Sequence, residues 1–345
     1  MNLARGEASG KVILFGEHAV VHGAPAIAAG ISRGARAEAE LARDGKSLLR
    51  VGGRRIAPAD QGGHLERAFA ALLAALPGAL PARVTAESDL PSGGGLGSSA
   101  ALGVAIARAV AGLGGRVDPA HISDAALAWE RLFHGNPSGV DTAAAALGGC
   151  FRYRRLEGEG AAPEITPILL RQPIWLCVGL TGVSSSTRLM VEGVARLFER
   201  KPDLRDRTLS AITAVAQNAV LAIEAGDLVG LGRLMDLNHM LLSTLLVSTG
   251  ELEELCAIAR TTGALGAKLT GAGGGGSMIA LLPARTDAEA DAAAAPLLAA
   301  WRAADRGGFG GFLTRIGPAR PARPAEPAEP AEPAEPAGPA GEAQP

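Results

Sequence analysis

Short apolar runs and longer amphipathic segments follow one another along residues 11–315. Short apolar or alternating runs, such as KVILF at 11–15, are typical of strands, whereas apolar residues that recur every three or four positions are typical of helices. The predicted strands are 11–15, 26–31, 35–41, 83–86, 174–180, 278–282 and 309–315. The predicted helices are 64–76, 98–113, 123–133 with Ser123 as N-cap, 187–200, 206–225, 228–246, 252–262 and 287–304.

These elements lack the regular β-α-β alternation of a doubly wound sheet, so the pattern predicts an α+β fold. The folded part of the chain is longer than a single hydrophobic core usually supports, which favours two domains, at 1–170 and 171–317. Residues 318–345 are a Pro-Ala-charge repeat without a large apolar residue, which predicts a disordered tail. The alternative for this segment is a Pro-rich ligand for a partner.

Composition excludes several classes of function. The net charge is −2, and no Lys/Arg block with interleaved aromatic residues indicates a nucleic-acid site. Three widely spaced cysteines favour buried free thiols in a reducing compartment. We find neither an apolar leader nor an uncharged apolar run of about 18 residues, so we expect a cytoplasmic protein without a membrane span.

The most informative segment is SGGGLGSSAA at 92–101, a glycine-rich loop placed directly before a predicted helix. Glycines let the backbone approach an anion closely, and Ser98 and Ser99 are typical helix-start residues. Free N–H groups and the helix dipole then favour a bound phosphate. The candidate nucleotide-binding residues are Gly93, Gly94, Gly95, Leu96, Gly97, Ser98, Ser99 and Ala100.

Better-known phosphate loops fit this chain poorly. The only Gly-Lys-Ser, at 45–47, has Glu40 where a Walker A loop needs its first glycine. The loose dinucleotide fingerprint at 95–100 precedes two successive helices, and the one at 271–276 precedes a strand. Neither context is that of a dinucleotide-binding βαβ unit.

Three separated stretches together resemble the motifs of the GHMP kinases, small-molecule kinases named for galactose, homoserine, mevalonate and phosphomevalonate. They are GKVILFGEHAVVHGAPAIAAGI at 10–31, LPSGGGLGSSAAL at 90–102 and KLTGAGGGGSMIAL at 268–281. The resemblance implies a two-domain GHMP kinase fold, with a mixed sheet-and-helix N-terminal domain and a ferredoxin-like C-terminal domain. It also implies that ATP and the acceptor bind in the cleft, with the third motif in a supporting role.

A fourth stretch, WERLFHGNPSGVDTAAAALGG at 129–149, resembles the mevalonate-phosphorylating branch of the family. This implies transfer of phosphate from ATP to a primary hydroxyl, as a step in isoprenoid precursor synthesis. The resemblance makes Asp141 the general base and Lys11 the catalytic lysine, and we expect the two to form a buried pair. It assigns Mg²⁺ to Ser99 and Glu130, with Ser98 as the near alternative to Ser99.

For the acceptor, the resemblance indicates Glu17, His18 and Thr187. A phosphorylated acceptor such as phosphomevalonate would need additional basic residues, and the acceptor motifs contain no basic cluster. A kinase acting on phosphomevalonate or a sugar is the nearest alternative, and a non-catalytic nucleotide sensor is a more distant one. Many relatives dimerise, so a homodimer is compatible with the sequence, although no dimer surface can be identified from it.

Ordinary structural roles compete with these assignments. Asp141 is also a suitable helix N-cap for the segment that follows it. Glu130 could be a solvated helix residue, and Lys11 could be a charge on an edge strand. The catalytic interpretations depend on the surrounding motifs.

Overall fold

The computed structural model describes residues 3–59, 62–91, 93–115, 118–134, 138–156, 162–304 and 309–317. The predicted tail at 318–345 lies outside the described residues. Within the described part, the chain forms two sheets with helices packed against them.

The first sheet has seven strands and is mixed. Its strands are β1 (Leu3–Phe15), β2 (Ala26–Leu41), β3 (Leu48–Val51), β4 (Arg54–Ile56), β5 (Ala82–Ser88), β6 (Cys150–Arg154) and β7 (Glu164–Ile168). The order is β4-β3-β5-β2-β6-β7, and β1 pairs with β2. Strands β3 and β5 are parallel, whereas the other pairs are antiparallel.

Four helices belong to this half of the chain: α1 (His64–Ala74), α2 (Ser98–Gly114), α3 (Pro119–His134) and α4 (Val140–Leu147). Helix α2 is rich in alanine and packs closely on β1 and β2. At Gly6 of β1, an added Cβ would collide with the backbone oxygen of Ala105. Small residues on both elements therefore allow the backbones to approach, which places the N-terminus of α2 beside β1.

The second sheet is antiparallel, with the order β11-β8-β10-β9. Its strands are β8 (Ile174–Leu180), β9 (Gly266–Thr270), β10 (Ser277–Leu281) and β11 (Gly310–Ile316). The helices of this half are α5 (Thr187–Arg200), α6 (Pro202–Ala225), α7 (Leu228–Thr244), α8 (Gly250–Thr261) and α9 (Asp287–Ala303). This strand order is that of a ferredoxin-like sheet, so the predicted α+β class is confirmed.

The two sheets share one continuous apolar core. Ile31 of β2 and Phe312 of β11 belong to the same buried cluster, together with residues of α2 and α6. At the contact between the sheets, the hydroxyls of Ser32 and Thr314 lie 3.0 Å apart. The two halves are therefore packed against each other rather than joined only by a linker.

Several local predictions require correction. Segments 26–31 and 35–41 form one long strand, and the short strands β3, β4, β6, β7 and β9 were not predicted. Helix α3 begins at Pro119, so Ser123 is not its N-cap; the Ser123 hydroxyl donates to the Pro119 carbonyl one turn earlier, at 3.2 Å. A short strand buries too few residues for its periodicity to stand out in the sequence.

Among the described helices, α6 alone is long and apolar enough to cross a bilayer by length and composition. It packs against α7 and contacts strands β1 and β2, and 39% of its apolar window is buried. The three cysteines, Cys150, Cys177 and Cys256, are free and buried, as predicted. Burial raises the pKa of each thiol to about 12, so these groups stay protonated at neutral pH.

Candidate active site

The glycine-rich loop leads directly into α2, and the predicted helix start at Ser98 is confirmed. Gly97 takes a left-handed conformation with φ 73°, and an added Cβ there would lie 3.4 Å from Cβ of Lys11. The first hydrogen bond of the helix runs from Ala101 N to the Gly97 carbonyl, at 2.9 Å. The N–H groups of residues 98–100 therefore have no partner within the helix and can bind an anion.

Lys11 joins this loop to the candidate base. Its backbone N–H donates to the Leu96 carbonyl at 2.8 Å, and Nζ donates to the Gly95 carbonyl at 3.3 Å. Nζ also lies 2.7 Å from Oδ1 of Asp141. The side chain is buried, so Lys11 is not the edge charge that remained an alternative.

Asp141 lies in the first turn of α4, whose N-cap is Gly139. Asp141 is therefore not an N-cap, and the structural alternative for it is wrong. The expected buried pair also needs correction, because 38% of the Asp141 side chain is exposed whereas Lys11 is enclosed. Immediately before the helix, the Tyr153 hydroxyl donates to the Ser138 carbonyl and anchors the chain. The pair is thus accessible from the carboxylate side.

Glu130 of α3 is only 2% exposed, so it is not a solvated helix residue. Burial raises the pKa of its carboxyl group, an effect that Asp141 reinforces and a hydrogen bond from Ser99 opposes. Oε1 has no hydrogen-bond partner. A buried carboxylate oxygen left unpaired beside a serine hydroxyl is suited to a cation that also takes oxygen ligands from a phosphate.

In the described part of the chain, no three His, Cys, Asp or Glu side chains are grouped as a protein-only metal cage would require. A site with one carboxylate and one hydroxyl agrees with the way Mg²⁺ usually binds, since that ion keeps waters and phosphate oxygens among its ligands. The Ser99 and Glu130 pair therefore fits Mg²⁺ and fits a structural zinc poorly.

The third glycine-rich motif, at 271–276, is the loop between β9 and β10. The hydroxyl of Ser277 donates to the Gly94 carbonyl at 2.7 Å, which ties this loop to the phosphate loop. On its other side, the Ser185 hydroxyl donates to the Gly273 carbonyl at 2.6 Å. The second half of the chain thus packs directly against the candidate nucleotide site.

His18 is buried beside the same loop, with Nε2 2.9 Å from the Ala272 carbonyl. Because a carbonyl only accepts, Nε2 carries the proton and Nδ1 is left as an acceptor. Burial lowers the pKa of the imidazole, the hydrogen bond to Ala272 raises it, and the charge of His22 lowers it further. His18 is therefore neutral near pH 7 and can accept a hydrogen bond from a hydroxyl.

The other two predicted acceptor residues are placed differently. The Glu17 side chain is completely buried and forms an ion pair with Lys268, so its predicted contact with the acceptor stays a prediction that this arrangement does not favour. Its carboxylate is enclosed by protein groups rather than open to the cleft. Thr187 is exposed at the first position of α5, two residues after Ser185.

A cavity of about 570 Å³ adjoins the 3₁₀ turn Ala19–His22. Its lining includes His22, Arg155 and Arg205, with Asp206 as the acidic member. Burial raises the pKa of Tyr153, the charge of Arg155 opposes this effect, and the charge of Asp141 adds to it. The cavity is suited to an anionic group of a small molecule.

Sequence reasoning missed Arg155 and Arg205, and it found no basic cluster near the acceptor motifs. The two arginines are fifty positions apart in the chain and meet only in the folded structure. Arg155 had a weak local signal, since it ends the run RYRR just after the fourth motif. Nothing in the sequence around Arg205 points to the cavity.

Chemically, the site combines a loop whose N–H groups suit an anion, oxygen ligands suited to a divalent cation, and an ammonium–carboxylate pair that is open on its carboxylate side. Comparisons with known proteins show the family to which the chain belongs. The model "GHMP kinases N terminal domain" matches residues 63–149, and the model "GHMP kinases C terminal" matches residues 219–303. Both halves of the chain therefore carry the family pattern that the three motifs indicated.

Individual relatives indicate which branch of the family this chain resembles. The mevalonate kinase of Thermococcus onnurineus is 37% identical over 302 residues, which cover 80% of this chain and 88% of that protein. The crystal structure of L. major mevalonate kinase in complex with R-mevalonate matches with a TM-score of 0.75 and 33% identity, over 91% of this chain and 96% of that chain.

A third match, the phosphomevalonate kinase of Streptococcus pneumoniae in complex with phosphomevalonate and AMPPNP, has a TM-score of 0.71 and 19% identity, over 92% and 100% of the two chains. At that identity the likeness concerns the fold alone.

Proposed function

The chain belongs to the GHMP kinase family, among its mevalonate kinases, and from that premise we propose that it transfers the γ-phosphoryl group of ATP to the primary hydroxyl of mevalonate. The products are 5-phosphomevalonate and ADP. The observation that carries the proposal is the Lys11–Asp141 pair, 2.7 Å apart, which is enclosed on the lysine side and open on the carboxylate side. It adjoins a loop whose N–H groups are free to bind phosphate.

Asp141 acts as the general base in this proposal. Its carboxylate accepts the proton of the primary hydroxyl as the oxygen attacks the γ-phosphorus, and the bond from that phosphorus to the β-phosphate oxygen breaks. A positioned base typically contributes about 10²–10⁴ in rate. The exposure of the Asp141 side chain supports this role, because a base must reach the substrate.

Lys11 supplies positive charge at the point where negative charge develops. Its ammonium group is held by the Gly95 carbonyl and by Asp141, so it needs little rearrangement when the substrate arrives. In phosphoryl transfer, positioning and charge neutralisation supply most of the catalysis. Lys11 therefore assists Asp141 by stabilising the alkoxide character of the attacking oxygen.

The loop 93–97 and the first N–H groups of α2 would bind the phosphates of ATP. Ser99 and Glu130 would hold Mg²⁺, which when bound neutralises phosphate charge. The surroundings support Ser99 over Ser98, because the Ser98 hydroxyl lies 3.2 Å from the hydroxyl of Ser88 on β5. The Ser99 hydroxyl, which accepts from the indole N–H of Trp129 at 3.3 Å, is close enough to Glu130 to lower the pKa of that carboxyl. The unpaired Oε1 of Glu130 supports the same assignment.

Mevalonate also presents a carboxylate and a second hydroxyl. The cavity lined by His22, Arg155 and Arg205 supports binding of the carboxylate by Arg155, since the one aspartate of the lining, Asp206, pairs with Arg205 at 2.9 Å. The Nδ1 atom of His18 is the available acceptor for the second hydroxyl. Together these groups would hold the acceptor with its primary hydroxyl towards Asp141.

The same cavity favours a second candidate, phosphorylation of phosphomevalonate. The sequence argued against a phosphorylated acceptor because it showed no basic cluster, but the fold brings Arg155 and Arg205 to one cavity, where Arg205 pairs with Asp206. A phosphate group binds arginine as readily as a carboxylate does. The identity to mevalonate kinases nevertheless favours mevalonate as the acceptor.

A turnover panel tests the proposal. ADP formation is measured with Mg²⁺ and ATP against mevalonate, phosphomevalonate, galactose and homoserine, with wild-type protein and Asp141→Asn. We expect turnover with mevalonate that collapses in the variant, while binding of the ATP analogue AMPPNP is retained. Turnover only with phosphomevalonate would establish the second candidate, and nucleotide binding without turnover on any acceptor would overturn both.

A further inference from the structure

The chain makes an unusual turn at His18, between β1 and the 3₁₀ turn. The N–H of Ala19 donates to the Glu17 carbonyl at 2.7 Å, two residues back, which makes His18 the centre of a γ-turn. His18 has φ 62° and ψ −45°, a conformation that a non-glycine residue adopts only under constraint. The surrounding structure must therefore hold the turn in place.

The residue before His18 is held by a completely buried network. Nζ of Lys268 donates to Oε1 of Glu17, to the Leu269 carbonyl at 2.6 Å and to the Ile13 carbonyl at 3.5 Å, which uses all three of its protons. The other carboxylate oxygen of Glu17 accepts from Nδ2 of Asn238 at 3.0 Å. Neither side chain of the Lys268–Glu17 pair has any exposure to solvent.

The network joins the two halves of the molecule along one face of β9. Lys268 and Thr270, two positions apart, face the same side of that strand. The Thr270 hydroxyl accepts from the Ile13 N–H at 2.9 Å and donates to the Ile13 carbonyl at 3.0 Å. Two residues further on, the Ala272 carbonyl accepts from His18. Strand β9 and the loop after it thus form hydrogen bonds with both the end of β1 and the turn that follows it.

We propose that Lys268 and Asn238 are positioning residues, which clamp Glu17 so that the strained turn presents His18 to the acceptor. Glu17 then acts through this network and not by contact with the acceptor. This inference rests on the proposed phosphorylation of mevalonate, since His18 is the acceptor-binding group that it concerns.

A buried ion pair by itself adds little net stability over a well-packed neutral pair, whereas removing one partner leaves an unpaired buried charge. Burial lowers the pKa of Lys268, and the charge of Glu17 opposes that effect. Replacing both partners with neutral side chains of similar size therefore separates stability from positioning. The double variant Glu17→Gln with Lys268→Met keeps the volume of the network and removes its charges.

The matched control contacts the same strand, β9, from α7, the helix that carries Asn238, and from α8. Arg260 donates to Asp236 of α7 at 2.7 Å, and both side chains bind the backbone of Ala267 on β9. Neither residue contacts the His18 turn through the network described above. The control variant is Asp236→Asn with Arg260→Met.

Three quantities are measured for each variant: the thermal midpoint, the kinetics with mevalonate together with AMPPNP affinity, and the rate at which diethylpyrocarbonate modifies His18, followed by peptide mass spectrometry. For the charge-free double variant we expect a midpoint within about 5 °C of wild type. We expect the KM for mevalonate to rise about tenfold or more, with AMPPNP affinity within about twofold. His18 modification should accelerate clearly, because the imidazole is nearly enclosed in the intact turn.

Asn238→Ala, which leaves the ion pair in place, should change KM and His18 modification in the same direction but less, and the control should change neither. A folded double variant with wild-type KM and wild-type His18 modification would overturn the inference. So would an Asn238→Ala variant that leaves both quantities unchanged while Glu17→Gln alone raises KM, because Glu17 would then contact the acceptor itself. If the wild type fails to phosphorylate mevalonate, the proposed function fails, and the His18 modification rates still decide whether the network holds the turn.

Discussion

Two lysine–carboxylate pairs flank the end of β1, and they differ in their access to solvent. In the Lys11–Asp141 pair, the lysine is 6% exposed and the aspartate 38%. In the Lys268–Glu17 pair, both side chains are completely enclosed. The first pair joins β1 to α4 within one half of the molecule, and the second joins the two halves.

The difference shows how the same two chemical groups serve different purposes. In the proposed mechanism a carboxylate takes a proton from the substrate and must be reachable, and the Lys11–Asp141 pair meets this condition because it is open on one side. A sealed pair cannot exchange a proton with a ligand, but its bonds are protected from competition with water. The type of charge therefore does not distinguish the two pairs, whereas their access to solvent does.

The largest expected effect concerns the open pair. Asp141→Asn preserves the shape of the side chain but removes the base, so kcat should fall by about 10²–10⁴. Steady-state kinetics with mevalonate measures the loss, and thermal unfolding should show a midpoint within a few degrees of wild type. A variant that keeps most of its kcat would show that the open pair is not the catalytic one.

The sealed pair should respond to substitution through stability. Lys268→Met leaves the Glu17 carboxylate buried and unpaired, which typically costs about 3–5 kcal/mol of unfolding free energy. Urea unfolding measures this cost, and adding Glu17→Gln should recover most of it. If Lys11→Met destabilised the protein as much as Lys268→Met does, the contrast between the two pairs would disappear.

The basic cavity extends the comparison to acceptor binding. Arg155→Gln removes a charged donor from the cavity, and a hydrogen bond to a charged group is typically worth about 1.5–3 kcal/mol. The KM for mevalonate should therefore rise by about ten- to a hundredfold, with a smaller change in kcat. Arg152→Gln is the control, since Arg152 lies on the same stretch but pairs with Glu164 at the surface, 3.1 Å away. Equal effects of the two variants would argue against a carboxylate in the cavity.

The smallest expected effect concerns Glu130, a buried carboxylate whose Oε2 lies 3.7 Å from Nε2 of the half-exposed His134. The pKa of Glu130 is raised in the folded protein, so between the ordinary glutamate pKa and the raised one the folded state binds more protons than the unfolded state. The contribution of Glu130 to stability therefore falls as pH rises through this interval. Without Mg²⁺, Glu130→Gln should therefore unfold at slightly higher urea than wild type at pH 8. The difference should vanish below the ordinary glutamate pKa, where both states are protonated.

With Mg²⁺ and AMPPNP present, the order should reverse, because the variant loses a metal ligand. Calorimetric titration of Mg²⁺ should show an affinity about tenfold or more below that of wild type. An unchanged Mg²⁺ affinity would remove Glu130 from the metal site.

The motifs around 92–101 and 129–149 allowed much of the site to be predicted, because their chemistry is local. A glycine loop followed by a helix start binds phosphate through its own backbone, whatever lies farther away. Helix α2 accordingly begins at Ser98 as predicted. The fold class and the family also followed from the order of the elements and of the three motifs, and the family comparisons confirm both.

Other features depend on residues that meet only after folding. Glu17 was predicted to bind the acceptor because it belongs to the first motif, but Lys268 and Asn238, more than two hundred positions away, enclose it. Arg155 and Arg205 form a basic cavity although no basic cluster exists along the chain. The local sequence thus predicts those groups whose chemistry depends only on residues nearby in the chain. Burial and charge pairing depend on contacts between distant strands and helices, and those contacts decide which carboxylate is free to react.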